Sequence, residues 1–112
     1  MKKVEAVIRT SKFEDVKKAL HDLEVNFFIY YPIHGVGNKS SETSVWRGVT
    51  YDSESIRRTK IEILLQDQNV EKVVAAISKI ARTGAVGDGK IQVSNIEQLV
   101  RIRTGEVSDE GL

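Results

Sequence analysis

A glycine-rich stretch, TGAVGDGKI at residues 83–91, combines residue types and spacing that suggest chemistry. Gly84 and Gly89 have the G-x-x-x-x-G spacing of a P-loop and Lys90 follows them, but Ile91 stands where a P-loop has its magnesium-binding Ser or Thr. The stretch also follows a predicted helix and precedes a predicted strand, which reverses the P-loop order and removes the helix dipole. A backbone nest remains, in which glycines turn amide hydrogens towards an anion and Lys90 adds positive charge. The alternative is a helix C-terminus followed by a tight turn that binds no ligand, because such a turn would use the same residue types.

Two other stretches could contribute to an anion site. In VRIRTG, at 100–105, Arg101 and Arg103 would project to the same side of an extended chain, and two guanidinium groups suit a polyphosphate. HGVG at 34–37 supplies two glycines that allow close approach of the backbone to a ligand. The alternatives are a solvated edge or a subunit salt bridge for the arginines, and a plain turn for the glycines. The three stretches together favour an anion site.

Composition narrows the classes of protein. The 112 residues include 17 basic and 16 acidic side chains, so the strongly basic face of a general nucleic-acid binder is not expected. The chain has no cysteine and two histidines, which excludes disulfides and thiolate zinc sites and argues against a metal centre. The start of the chain resembles neither a signal peptide nor a membrane span. We expect one domain over residues 1–112, in the cytoplasm, with no metal site.

Hydrophobic periodicity predicts the elements that must position these stretches. Their order is strand 3–9, helix 12–23, strand 25–33, strand 58–66, a second helix ending at 81 and strand 90–93. Ser11 and Glu14 form a predicted capping box for the first helix, and Asp67 and Asn69 offer caps for the second. Pro32 must lie at an edge, an end or a bulge of its strand. The order β-α-β-β-α-β predicts an α+β, ferredoxin-like fold with two helices on one face of an antiparallel sheet.

The other face of this sheet would need cover. Each helix has one apolar face, and Val7 and Leu64 lie among charged neighbours on the sheet face that the helices leave open. Association of subunits would cover that face, so the sequence predicts a homo-oligomer.

A long polar segment interrupts the predicted sheet. Residues 37–57 show no hydrophobic period and are longer than an ordinary loop in a domain of this size. They nevertheless contain Trp46 and Tyr51 around Arg47 and Gly48, and large aromatic residues on a polar loop are typical of a binding tip. The alternative is a hairpin whose aromatic residues pack on the domain.

These stretches together resemble a known family. TGAVGDGKI, the arginines of VRIRTG, HGVG and the loop sequence WRGVTY occur in the order and at the spacing of the PII nitrogen-regulatory signalling proteins. The resemblance runs from MKKVEAVIR to RIRTGE. It implies a homotrimer with ATP or ADP as a regulatory ligand in clefts between subunits, a flexible T-loop at about 37–57 that docks on partners, and no substantial catalysis. The residues it implies for nucleotide binding are Gly35, Gly37, Asn38, Glu62, Leu64, Gly87, Asp88, Gly89, Lys90, Arg101 and Arg103.

The same resemblance assigns roles within the T-loop. Arg47 matches an arginine that members of this family insert into the pore of an ammonium transporter, and Trp46 and Gly48 flank it. Tyr51 matches a tyrosine that some members have uridylylated, although we expect it to be unmodified here. The implied partners are the protein itself and an ammonium transporter or an enzyme of nitrogen metabolism. Nucleic acid is not expected, and contact with a membrane would occur only through a transporter.

The sequence departs from the family pattern at four positions. Lys39 stands in place of a glutamine that helps to hold magnesium and 2-oxoglutarate, and Arg58 in place of a lysine that pairs with a 2-oxoglutarate carboxylate. Ile29 replaces a threonine beside the adenine, and Gln92 replaces a phenylalanine. Nucleotide binding should survive these changes. They leave open the sensing of 2-oxoglutarate, the role of Mg²⁺ and the preference for ATP over ADP or AMP.

Three alternatives remain at this stage. Lys39 and Arg58 would suit a related sensor of another small anion, such as bicarbonate. A slow ATP hydrolase would use Asp88 or Glu62 as its base, but no carboxylate pair or histidine is placed to assist it. A structural trimer without a ligand would show no change of melting temperature with nucleotide.

Overall fold

The computed structural model describes residues 1–36, 43–46, 49–52 and 56–107. Within these residues the chain forms six strands, two α-helices and a short 3₁₀ turn, Thr10–Lys12, before the first helix. The strands are β1 (Lys2–Ile8), β2 (Ile29–Gly35), β3 (Thr43–Trp46), β4 (Val49–Asp52), β5 (Ile56–Leu65) and β6 (Gly89–Asn95). The helices are α1 (Phe13–Asp22) and α2 (Asp67–Ala81).

Four of the strands form one antiparallel sheet in the order β2-β5-β1-β6. The central strand β1 places Val4 opposite Ile63 of β5 on one side and opposite Val93 of β6 on the other. Pro32 lies on β2, at the edge of the sheet, which is one of the positions predicted for it. The arrangement confirms the predicted α+β, ferredoxin-like fold.

The core lies between the helices and one face of the sheet. Alternation along β1 and β5 directs every second side chain to this face, and each helix contributes one apolar stripe. The resulting cluster consists of Val4, Ala6, Ile8, Phe13, Val16, Leu20, Ile61, Ile63, Leu65, Val73, Ile77 and Ala81.

The opposite face of the sheet carries a network of charges. Lys3 Nζ lies 2.7 Å from a carboxylate oxygen of Glu62 and 3.2 Å from one of Glu5, and Lys60 Nζ lies 3.4 Å from Glu5. The Tyr31 hydroxyl donates to Glu62. These contacts link β1, β5 and β2 on a face that no described helix covers.

The predicted helix caps are wrong. The chain is already helical at Ser11 because the 3₁₀ turn leads directly into α1, and no side chain caps that helix. The N-cap of α2 is Gln66, also without a side-chain cap. Asp67 instead forms an ion pair with the amino group of Met1, whose nitrogen lies 2.8 Å from Asp67 Oδ1. This ion pair links the start of the chain to α2.

The second strand begins later than predicted, at Ile29 and not at residue 25. The cause is the end of α1, where the Glu24 amide donates to the His21 carbonyl and the Val25 amide to the Leu20 carbonyl. These two bonds form a Schellman motif, and Glu24 takes its left-handed position with φ of 62°. The Val25 amide is therefore engaged with the helix.

The segment predicted to lack periodic structure contains a hairpin. Strands β3 and β4 pair antiparallel, with Ser44 opposite Tyr51 and Trp46 opposite Val49. Only Arg47 and Gly48 separate the two strands in sequence. The remaining residues between 37 and 55, like 108–112, lie outside the described part of the chain.

The helices of the described chain include none that is long and apolar enough to cross a membrane.

Candidate functional site

The glycine turn, residues 83–89, connects α2 to β6, and its backbone requires glycine at several points. Gly84, Gly87 and Gly89 have φ of 88°, 100° and 100°, values that disfavour side chains. Gly89 also lies against β1, where an added β-carbon would come within 1.8 Å of the Val7 carbonyl oxygen. Only glycine allows β6 to begin its pairing with β1 here.

The carboxylate of Asp88 closes the turn on itself. It accepts hydrogen bonds from the backbone amides of Thr83 and Gly84, each at 2.9 Å, and from the Thr83 hydroxyl. Arg9 Nε donates to it at 3.2 Å. The Thr83 hydroxyl and amide, together with these other donors, hold the pKa of Asp88 well below its usual range. The side chain of Asp88 is therefore engaged in holding the turn.

Two arginines reach the turn from the sheet. Arg9 Nη2 donates to the Val86 carbonyl at 2.8 Å. Arg58 Nε donates to the Gly87 carbonyl at 3.1 Å, and Arg58 Nη1 donates to the Arg57 carbonyl at 2.7 Å. The sequence indicated Arg58 as an effector residue but gave no role to Arg9. Antiparallel pairing of β1 with β6 was the signal that could have found Arg9, because Ile8 opposite Gly89 puts Arg9 beside Asp88.

A groove of about 590 Å³ runs beside the turn, on the sheet face that the helices leave open. Its lining brings together residues that are far apart in sequence. They include Ile33, Gly35, Arg58, Gly87, Asp88, Gly89, Lys90 and Gln92. The end of β2 and the glycine turn, two of the three predicted stretches, are therefore neighbours in one chain.

The arginine pair lies in a different part of the chain. The segment around Arg101 and Arg103 is a turn and not the predicted extended chain, since the Gly105 amide donates to the Arg101 carbonyl at 2.7 Å. This segment follows the far end of β6, where the Ile96 amide donates to the Met1 carbonyl. Neither arginine lines the described groove. The groove beside the glycine turn is thus formed without the arginine pair.

Glu62 and Leu64 lie on the same sheet face as the groove, further along β5. Glu62 is opposite Ile29 of β2 and Glu5 of β1, and Leu64 is opposite Lys3. The hydrogen bond from Lys3, and a further one from Tyr31, lower the pKa of Glu62. Its carboxylate is therefore held by side chains of the sheet.

Some predicted site residues lie outside the described part of the chain. They are Gly37, Asn38, Lys39, Arg47 and Gly48. Trp46 and Tyr51 are placed only by the backbone pairing of β3 and β4. Among the described residues, no group of three or more acidic or histidine side chains could hold a metal ion.

Sequence comparisons with known proteins identify the family of the chain. The sequence pattern of the family described as "Nitrogen regulatory protein P-II" matches residues 1–106. Proteins named Nitrogen regulatory protein P-II from Mesorhizobium japonicum and Rhizobium meliloti are 44% and 42% identical to the chain, each over 106 residues and 95% of both chains. One of the same name from Microchaete diplosiphon is 43% identical over 112 residues and the full length of both. The chain belongs to the P-II family of nitrogen regulatory proteins.

Proposed function

We propose that this protein signals nitrogen status by binding ATP or ADP and that the bound nucleotide sets the state of its T-loop, residues 37–57. The observation that carries the proposal is the glycine turn. Its positive φ angles, its close approach to Val7 and its fixation by Asp88 preorganise successive backbone amides beside Lys90. Amides and an ammonium group at one place suit phosphate oxygens.

The nucleotide would bind between subunits of a homotrimer. Gly87, Gly89 and Lys90 would hold the phosphates from one subunit, and Arg101 and Arg103 would reach them from its neighbour. Support comes from the length of β6, because seven residues at about 3.3 Å each put the far end of β6, after which the arginine segment follows, roughly 20 Å from the glycine turn.

Exposed apolar side chains support association of subunits. Ile29 and Tyr31 are 46% and 36% exposed on the open sheet face, and Ile102 is 96% exposed on the arginine segment. A neighbouring subunit that covered the open face would bury part of this area. Gly35, Glu62 and Leu64 would then line the cleft from the sheet, together with Gly37 and Asn38.

The T-loop would carry the signal to a partner. In sequence, Arg47 and Gly48 lie between the paired strands β3 and β4, and a short connection of this kind would suit insertion into a narrow opening such as the pore of an ammonium transporter. Trp46 would flank the inserted arginine. A nucleotidyl group on Tyr51 would add charge and bulk and would block docking, although we expect the unmodified tyrosine. This role places the protein in the cytoplasm.

The effector that accompanies the nucleotide is the second part of the proposal. Lys39 and Arg58 would keep positive charge near the phosphates where Mg²⁺ and 2-oxoglutarate would otherwise bind. Two nitrogens of Arg58 already donate to backbone carbonyls, which leaves fewer donors for a carboxylate of 2-oxoglutarate. We therefore favour sensing of ADP or AMP, or of a smaller anion such as bicarbonate, over sensing of a dicarboxylate. We expect no catalytic role for Asp88, because a carboxylate that accepts several hydrogen bonds is a poor base.

Isothermal titration tests the proposal. Purified protein is titrated with ATP, ADP and AMP, each with and without 2-oxoglutarate or bicarbonate, and its mass is measured by light scattering. We expect micromolar binding of at least one nucleotide to a trimer. Absence of binding by all three nucleotides would contradict the proposal.

A further inference from the structure

Three successive residues of the glycine turn are each held by a guanidinium group from the sheet. Arg9 contacts the Val86 carbonyl at 2.8 Å and the Asp88 carboxylate at 3.2 Å, and Arg58 contacts the Gly87 carbonyl at 3.1 Å. The two arginines come from different strands, since Arg9 follows β1 and Arg58 lies on β5. The turn is thus fixed to both strands from one side.

The missing side chain of Gly87 makes room for this arrangement. A β-carbon at this position would lie 2.8 Å from Arg58 Nη2 and 3.3 Å from Arg9 Nη2. Both guanidinium groups therefore occupy the space that a side chain would take. Glycine at 87 permits a positive φ and also admits the two arginines.

Holding these carbonyls fixes the direction of the amides that follow them. In a trans peptide the carbonyl of one residue and the amide hydrogen of the next point in opposite directions. The Val86 carbonyl therefore sets the direction of the Gly87 amide, and the Gly87 carbonyl sets that of the Asp88 amide. Both amides are aimed away from the arginines.

From this geometry we infer that Arg9 and Arg58 are positioning residues, which act on a bound phosphate through the backbone amides of the turn and not by direct contact. The inference rests on the proposed nucleotide site and deepens it. The positioning role requires a guanidinium group, because Arg58 donates from Nε to the Gly87 carbonyl and from Nη1 to the Arg57 carbonyl at the same time. A lysine has only one nitrogen, and it lies further from the backbone than Nε of arginine.

The test compares Arg58→Lys with Arg58→Ala. Lysine keeps the positive charge but cannot make both hydrogen bonds of the guanidinium group. The positioning role therefore predicts that both variants loosen the turn and weaken nucleotide binding. A role of charge alone predicts that Arg58→Lys behaves as the wild type. Arg57→Lys is the matched control, because residue 57 is the neighbour on the same strand and alternation directs its side chain to the opposite face.

Two readouts separate positioning from the proposed function. Hydrogen exchange of residues 83–90 is measured by mass spectrometry without nucleotide, and affinity for ATP and ADP is measured by calorimetry. We expect faster exchange in this segment for both Arg58 variants and affinity weakened about 10-fold, the equivalent of one hydrogen bond to a charged group. Arg57→Lys should match the wild type in both.

Each outcome decides one of the two claims. If Arg58→Lys behaves as the wild type, or if neither Arg58 variant changes the exchange, the positioning role is wrong. If the wild type binds no adenine nucleotide, the proposed function fails, and the exchange without nucleotide still decides whether the arginines hold the turn. Arg9→Lys supplies an independent second variant, with the same direction expected, should Arg58→Ala fail to fold.

Discussion

Gly89 lies against the carbonyl group of Val7 so closely that a β-carbon on Gly89 would be 1.8 Å from the carbonyl oxygen and 2.8 Å from the carbonyl carbon. This contact is where the glycine turn meets the sheet, at the first residue of β6. Because the Val7 atoms belong to the backbone of the central strand, they cannot move aside as a flexible side chain could.

Gly89→Ala should therefore be much more destabilising than Gly84→Ala. Both glycines have a positive φ, but a β-carbon on Gly84 would meet nothing within 4 Å. We expect a loss of about 1 kcal/mol of unfolding free energy for Gly84→Ala, from backbone strain, and about 3 kcal/mol or more for Gly89→Ala, from strain and overlap together. Urea unfolding at one protein concentration measures both. Equal losses would contradict the close approach of β6 to Val7.

Glu24→Gly should stabilise the protein. Glu24 occupies the left-handed position of the Schellman motif with φ of 62°, which glycine adopts without the side-chain penalty. We expect the free energy of unfolding to rise by about 1 kcal/mol. Glu24→Ala is the control, because alanine removes the same charged group and keeps the penalty. A gain of equal size with alanine would assign the effect to the side chain and not to the backbone.

Asp88→Asn should destabilise the protein at neutral pH and much less in acid. The folded-state pKa of Asp88 lies below the usual aspartate value of 3.8, so its contribution to stability is fully present above that pH and declines as the pH falls below it. Urea midpoints of the wild type and the variant should therefore differ at pH 7 and converge as the pH falls below about 4. Asp22→Asn, at an exposed position at the end of α1, is the control. A difference that did not change with pH would show that the carboxylate charge does not fasten the turn.

The strands with clean alternation and the helices with one apolar stripe could be predicted from the sequence. For β1 and β5 the pattern alone separates the core face, with Val4 and Ile63, from the charged face. Burial dictates such patterns, so they are visible without knowledge of the partner strand. The predicted order of elements, and from it the fold, followed directly.

Features that depend on register or on a local exception could not be predicted in this way. Glu24 takes a position where glycine is the usual signal, so the late start of β2 left no mark in the sequence. Arg9 appeared as one more charge at the end of an alternating strand, and only the pairing of Ile8 with Gly89 shows that it meets Asp88. The glycine motif predicted a turn that could bind an anion. The hydrogen bonds by which Asp88 holds that turn depend on side-chain geometry and could not be predicted.

A mixed-subunit experiment tests the central claim, that an adenine nucleotide binds where the glycine turn of one subunit meets the arginine pair of another. Lys90→Glu reverses the charge beside the turn, Arg101→Ala with Arg103→Ala removes the pair, and light scattering first checks that each variant assembles. The two variants are unfolded and refolded together in equal amounts, and ATP sites are counted by calorimetry. We expect each variant alone to bind no ATP and the mixture to regain about one quarter of the wild-type sites, one half multiplied by one half for random association. A mixture that regained none, while the wild type bound ATP, would contradict a site shared between subunits.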